Sequence, residues 1–148
     1  MQLISRFLLG VICIAVSACA VNRDTANFDP NEDVDITDIF YVERFEPDKR
    51  NLNKVIADNI GVRGYTATAG ESGKAPDNAT IIVTYIDKWM WDITNYMIEL
   101  TITFRDPASG TAIASGNSYH TSLTRLSPEE MIDEILTNIF EADKAPAK

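Results

Sequence analysis

Acid–base chemistry in this chain would have to start from its single histidine, His120. Ser118 and Ser122 lie close to it in sequence and Asp87 lies far away. No spacing among the four resembles a nucleophile, a base and an orienting acid. A zinc site built on one histidine would need several carboxylates gathered around it, and none are suitably clustered. Cys13 and Cys19 both fall within the first 19 residues, so the domain has neither a disulfide framework nor a thiolate metal site to draw on. Gly70-Glu71-Ser72-Gly73-Lys74 has the look of a phosphate-binding loop. However, Thr68 stands where that motif needs its first glycine, and Ala75 where it needs Ser or Thr. The residues therefore read as no metal, no cofactor and no catalytic set, and the chain reads as not an enzyme.

Two groups remain. Trp89-Met90-Trp91-Asp92 is unusually heavy for a hairpin tip. With Tyr96 and Met97 just across the turn, Met90, Trp91, Tyr96 and Met97 form a candidate partner surface. The second group is polar. Asp87 interrupts an otherwise apolar row, and the register derived below sets it crosswise with Leu100 and Asn117. A lone buried carboxylate is costly. Either a bulge turns Asp87 outward or Asp87 and Asn117 share a polar pocket.

The most specific signal lies at the start. Arg6 precedes the apolar run Phe7–Val16, which is too short for an ordinary membrane span. The run ends Val16-Ser17-Ala18-Cys19. This resembles the lipobox of bacterial lipoprotein precursors: an aliphatic residue, two small residues and the cysteine that carries lipid. The resemblance implies cleavage between Ala18 and Cys19 and acylation of Cys19, so that acyl chains (palmitate among them) hold the protein to the membrane. Ala20 rather than Asp follows the cysteine, which by the same resemblance implies the outer membrane. Residues 1–18 then form the signal peptide. The polar, acidic stretch 19–35 lacks periodicity and reads as a flexible tether. Without residues 1–18 the chain holds 12 basic and 22 acidic residues, net −10, which argues against nucleic acid or anionic phospholipid as a partner.

The domain that positions these residues is predicted over 36–143, with a frayed tail at 144–148. Ile36–Phe45 is β-branched and aromatic and reads as a strand. Asp48 looks like the N-cap of a helix through about Ile60, with Leu52, Val55, Ile56 and Ile60 on one face. Tyr65–Ala69 reads as a short strand. Ala79–Ser122 reads as a three-strand meander. Its middle strand, Tyr96–Arg105, alternates apolar and polar residues almost without error. A two-residue turn at Ile93-Thr94 places Trp91 against Tyr96, Trp89 against Ile98, Met90 against Met97, Lys88 against Glu99 and Thr84 against Thr103. A four-residue loop at Pro107–Gly110 then sets Ile113 against Phe104, Asn117 against Leu100 and Tyr119 against Ile98, with His120 on the wetter face. Ser127, Pro128 and Glu130 announce a last helix with a capping box and a stripe of Ile132, Ile135, Leu136, Ile139 and Phe140. The expected fold is α+β: one sheet of about five strands with two helices on one face, in the order β-α-β-β-β-β-α.

That order over Ile36–Phe140, with the lipobox, resembles the small α/β domains of periplasmic accessory lipoproteins. These include TolB-N-terminal-like domains, penicillin-binding-protein activators and transport-auxiliary lipoproteins. The resemblance implies an outer-membrane-anchored periplasmic protein that serves as a non-catalytic binding or assembly accessory of an envelope protein machine. The alternative it leaves open is an auxiliary lipoprotein that handles lipid or glycolipid for a transport system.

Overall fold

A computed structural model describes residues 22–29 and 31–144. The elements are β1 (Asn22–Phe28), β2 (Ile39–Glu43), α1 (Leu52–Val62), β3 (Thr66–Gly70), β4 (Ile81–Asp92), β5 (Thr94–Arg105), β6 (Ala112–His120) and α2 (Pro128–Asp143). Among the described residues the fold is α+β, with one mixed sheet of six strands in the order β1-β6-β5-β4-β2-β3 and two helices. β2 runs parallel to β3 and β4, and the other pairs are antiparallel.

The sixth strand lies within the stretch 19–35 read as a flexible tether, and corrects that reading for Asn22–Phe28. Asn22–Phe28 pairs along the whole of β6, from Asn22 opposite His120 to Phe28 opposite Ala114. Its polar residues show no alternation strong enough to announce a strand. The open edge of β6 supplies the hydrogen-bond partners, and Ala26 and Phe28 rest against the core.

One core lies between the sheet and the helices. Phe40, Val83, Leu100, Ile102 and Phe104 from the strands meet Ile56 and Ile60 of α1 and Ile132, Ile135 and Ile139 of α2, all fully buried or nearly so. Helix α2 approaches the sheet at Gly116, where a Cβ would stand 2.6 Å from Ile135 Cγ2. The capping box is present: Ser127 Oγ accepts from the Glu130 amide, and Glu130 accepts from the Ser127 amide.

Helix α1 begins differently from expectation. Its N-cap is Asn51, in a left-handed conformation and with no side-chain cap bond. Asp48 does the capping from further upstream. Its buried carboxylate accepts from the Leu52 amide at 2.7 Å, the Arg50 amide at 2.6 Å and the Tyr85 hydroxyl at 2.7 Å. Burial, together with the hydroxyl's donation to Asp48, pushes the Tyr85 phenol well above its ordinary range.

Both meander registers depart from the predicted ones. The β4–β5 pairing holds as predicted from Ile82 opposite Arg105 to Lys88 opposite Glu99, and the Lys88–Glu99 ion pair forms at 2.6 Å. It then steps by one residue, so that Trp89 faces Met97, Met90 faces Tyr96 and Trp91 faces Asn95. Ile98 is the extra residue of a bulge. Between β5 and β6 a second irregularity lies between Phe104 and Arg105. Phe104 faces Ala114, Thr101 faces Asn117, Leu100 faces Ser118 and Glu99 faces Tyr119. A slip of one residue exchanges the faces of a strand. Asn117 therefore leaves the inward row, Ser118 enters it, and His120 is buried rather than on the wetter face.

Candidate functional site: the projecting hairpin

The end of the β4–β5 hairpin stands clear of the sheet. β2 accompanies β4 only to Val83, and β6 accompanies β5 only from Glu99 onward. Past these points Trp89–Asp92 and Thr94–Met97 pair with each other. From Glu99 to the turn the ribbon projects about 15–20 Å at strand rise. The turn is tight: Asp92 faces Thr94, and Ile93 alone lies between them with φ 62°. A left-handed conformation costs an ordinary L-residue about 1–2 kcal/mol, and a β-branched one is a true outlier there.

Apolar side chains crowd this end. Ile93 is 87% exposed, Trp91 72%, Met90 47%, and Leu123 in the loop after β6 74%. That loop is tied to the hairpin through Arg125. Its guanidinium donates to Thr94 Oγ1 at 2.9 Å, pairs with Asp92 at 3.3 Å and lies 4.0 Å over the Tyr96 ring. Of the four predicted surface residues, Met90 and Trp91 are exposed. Tyr96 and Met97 are buried, which corrects their assignment to the surface. The bulge at Ile98 turns Met97 into the core, and Arg125 covers Tyr96. Ile93 and Leu123 join the surface in their place. An isoleucine where a tight turn favours Gly, Asn or Asp was the available sign.

Asp87 and Asn117 do not share a pocket. Asp87 lies opposite Leu100 on the inward side, and its carboxylate accepts from the Trp89 indole N–H. Arg50 stacks 3.6 Å above the Trp89 ring, so Trp89 is fixed from both sides. Asn117 points to the open face, where it donates to Glu99 Oε1 at 3.0 Å and Thr101 Oγ1 at 2.8 Å. The slip in register assembles a different polar group: Ser118, His120 and, from α2, Glu134. Ser118 Oγ donates to Glu134 Oε2, and His120 Nε2 lies 3.0 Å from the same oxygen. The carboxylate stands between serine and imidazole, so His120 cannot take the serine proton directly, as a hydrolytic triad requires. His120 Nδ1 is buried with no partner among the described residues.

No group of three or more His, Cys, Asp or Glu among the described residues is placed to hold a metal ion. A cleft of ≈ 280 Å³ opens at the opposite end of the molecule, lined by Arg63, Tyr65, Thr137, Phe140, Glu141 and Lys144. Ala18 and Cys19, the predicted cleavage and lipidation positions, lie outside the described residues.

No family model and no curated protein matches the chain. Among solved structures it is similar to PelC from Paraburkholderia phytofirmans. The dodecamer of a leucine-to-methionine variant of that protein matches with a TM-score of 0.59 at 14% identity, covering 80% of this chain and 96% of that one. A PelC dodecamer in a second crystal form matches with a TM-score of 0.59 at 12% identity, covering 80% and 98%. At these identities the likeness is one of fold.

Proposed function

We propose that the chain is an outer-membrane-anchored periplasmic lipoprotein, acting without catalysis as a binding or assembly accessory of an envelope protein machine. The observation that carries this reading is Val16-Ser17-Ala18-Cys19 at the end of an apolar run, followed three residues later by a paired strand. Two further observations support it. Met90, Trp91 and Ile93 on the projecting ribbon, with Leu123 in the loop after β6, leave large apolar surfaces in solvent instead of lining a cleft, as a surface for attachment within the envelope would. The fold is also shared with a protein that crystallised as a dodecamer, so self-association is the first assembly to measure. The lipid-handling alternative draws less support, because the space between helices and sheet is filled by core side chains.

The test is Cys19→Ala in the full-length precursor. The variant is expected to leave the membrane fraction or to accumulate unprocessed, and crosslinking of the wild type in intact envelopes should recover protein partners or multiples of the chain itself. Normal processing and outer-membrane fractionation of Cys19→Ala would contradict the lipoprotein reading.

A further inference from the structure

The apolar hairpin lies at the end of the sheet where β1 begins. β1 is antiparallel to β6 and begins at Asn22, level with His120. His120 ends β6 one residue past the Glu99–Tyr119 pair, and beyond that pair the β4–β5 ribbon projects. Cys19 is three residues before Asn22, and three extended residues reach at most about 10 Å. The ribbon extends about 15–20 Å from the same level. A bilayer holding acyl chains on Cys19 therefore lies within reach of the tip.

The chemistry of the tip fits the bilayer interface. Trp91 is an amphipathic ring of the kind that settles at headgroup level, with Met90 and Ile93 close by in the ribbon and Leu123 exposed in the loop that Arg125 ties to it. Arg125, over Tyr96 and paired with Asp92 beside the apex, and Arg50, over Trp89 lower on the ribbon, set guanidinium groups at heights where headgroup phosphates would lie. The strained turn at Ile93 serves the same end, since it holds a β-branched side chain at the apex where Gly or Asn would relax the backbone. Of the other exposed aliphatics, Ile36 precedes β2, Val62 ends α1 and Ile86 lies opposite Thr101 within the sheet, so none belongs to the tip.

From this placement we infer that the β4–β5 hairpin tip, through Trp91, Ile93, Met90 and Leu123, inserts into the leaflet that holds the lipid on Cys19. The lipid and the hairpin thus form a two-point attachment that fixes the orientation of the domain. The inference rests on the lipid-anchor reading and adds the membrane as the occupant of the tip. The net charge of −10 outside residues 1–18 favours a zwitterionic surface over an anionic one.

The chain contains two tryptophans, which makes the test direct. The lipidated protein, processed from its full-length precursor, is prepared with Trp89→Phe, leaving Trp91, and separately with Trp91→Phe, leaving Trp89. Each is reconstituted into phosphatidylethanolamine–phosphatidylcholine vesicles with and without brominated acyl chains. The expected result is flotation of both proteins with the vesicles, loss of most Trp91 emission to the bromines, and little change for Trp89. Flotation with Trp91 unquenched would overturn the hairpin insertion and leave the anchor standing. Failure to float would remove the anchor and this inference together. Trp91 unquenched by bromine yet shielded from aqueous iodide in intact envelopes would put a protein on the tip, which also overturns the proposal.

Discussion

Two tryptophans two residues apart have opposite roles, and the difference comes from what touches each. Trp89 lies against the core, gives its indole proton to Asp87 and carries Arg50 on its face. Trp91 has only solvent over most of its surface. Trp89→Ala should lower stability by about 3 kcal/mol, in the range of truncated interior aromatics. Trp91→Ala should change it by less than about 0.5 kcal/mol, as exposed positions do. Denaturant titration of both variants measures the contrast, and equal losses would make the tip part of the core. A second residue-scale prediction concerns Tyr85. Its hydroxyl is one of three donors to the buried Asp48 carboxylate. Tyr85→Phe should cost about 1–3 kcal/mol, the penalty for leaving a buried acceptor short of a partner. The folded-state pKa of Tyr85 is raised, so the folded chain holds this proton more tightly than the unfolded chain. The stability this contributes is complete below the ordinary phenol value of 10.0 and falls as the pH rises above it. Alkaline unfolding of wild type, compared with Tyr85→Phe, should lose this component in the variant. An identical alkaline limb in the two proteins would show that Tyr85 does not carry it.

At the scale of elements, local signals and pairing signals fared differently. Helix α2 was legible down to its cap, because Ser127, Pro128 and Glu130 act within one turn and need no tertiary partner. Ser127→Ala should therefore cost about 1 kcal/mol in a denaturant titration. β1 was not legible, since its residues become a strand only through the edge of β6. The two irregularities, at Ile98 and between Phe104 and Arg105, were equally hidden. Alternation in Tyr96–Arg105 is nearly perfect, and nothing in it marks where one strand gains a residue on its neighbour. Those single-residue steps decided the candidate site. They took Met97 off the surface, separated Asn117 from Asp87 and brought Ser118 and His120 to Glu134. Gly116 shows what the slip protects, because it faces Ile135 and Ile139 where α2 crosses the sheet. Gly116→Ala should push the helix outward and cost about 1–3 kcal/mol, as overpacking does. A neutral result would mean that α2 yields at this crossing.

For the whole molecule in the proposed two-point attachment, the decisive quantity is the length of chain between the predicted lipid on Cys19 and the fold. A tether running to residue 35 would let the domain tumble on the order of 20 Å from the bilayer, with no face preferred. Pairing of Asn22–Phe28 with β6 leaves only Ala20 and Val21 between Cys19 and the first strand. With Cys19 acylated as proposed, the sheet would meet the membrane end-on, with the hairpin leading and the cleft near Lys144 facing away. This geometry can be undone without touching a folded residue. Insertion of about 20 Gly/Ser residues after Val21 adds an r.m.s. span of about 25 Å. That exceeds the reach of the hairpin, so the tip must then hold the surface by its own apolar contacts. Membrane fractionation of the lengthened protein should be unchanged, because the acyl chains remain. Bromolipid quenching of Trp91 should fall sharply, and Ile93→Ala in the lengthened chain should abolish what is left. If the lengthened protein keeps full quenching, the tip binds the bilayer by itself and the short connection does not orient it. If the native-length protein carrying Trp91→Ala and Ile93→Ala together crosslinks to its envelope neighbours as the wild type does, orientation by the hairpin is not needed for assembly.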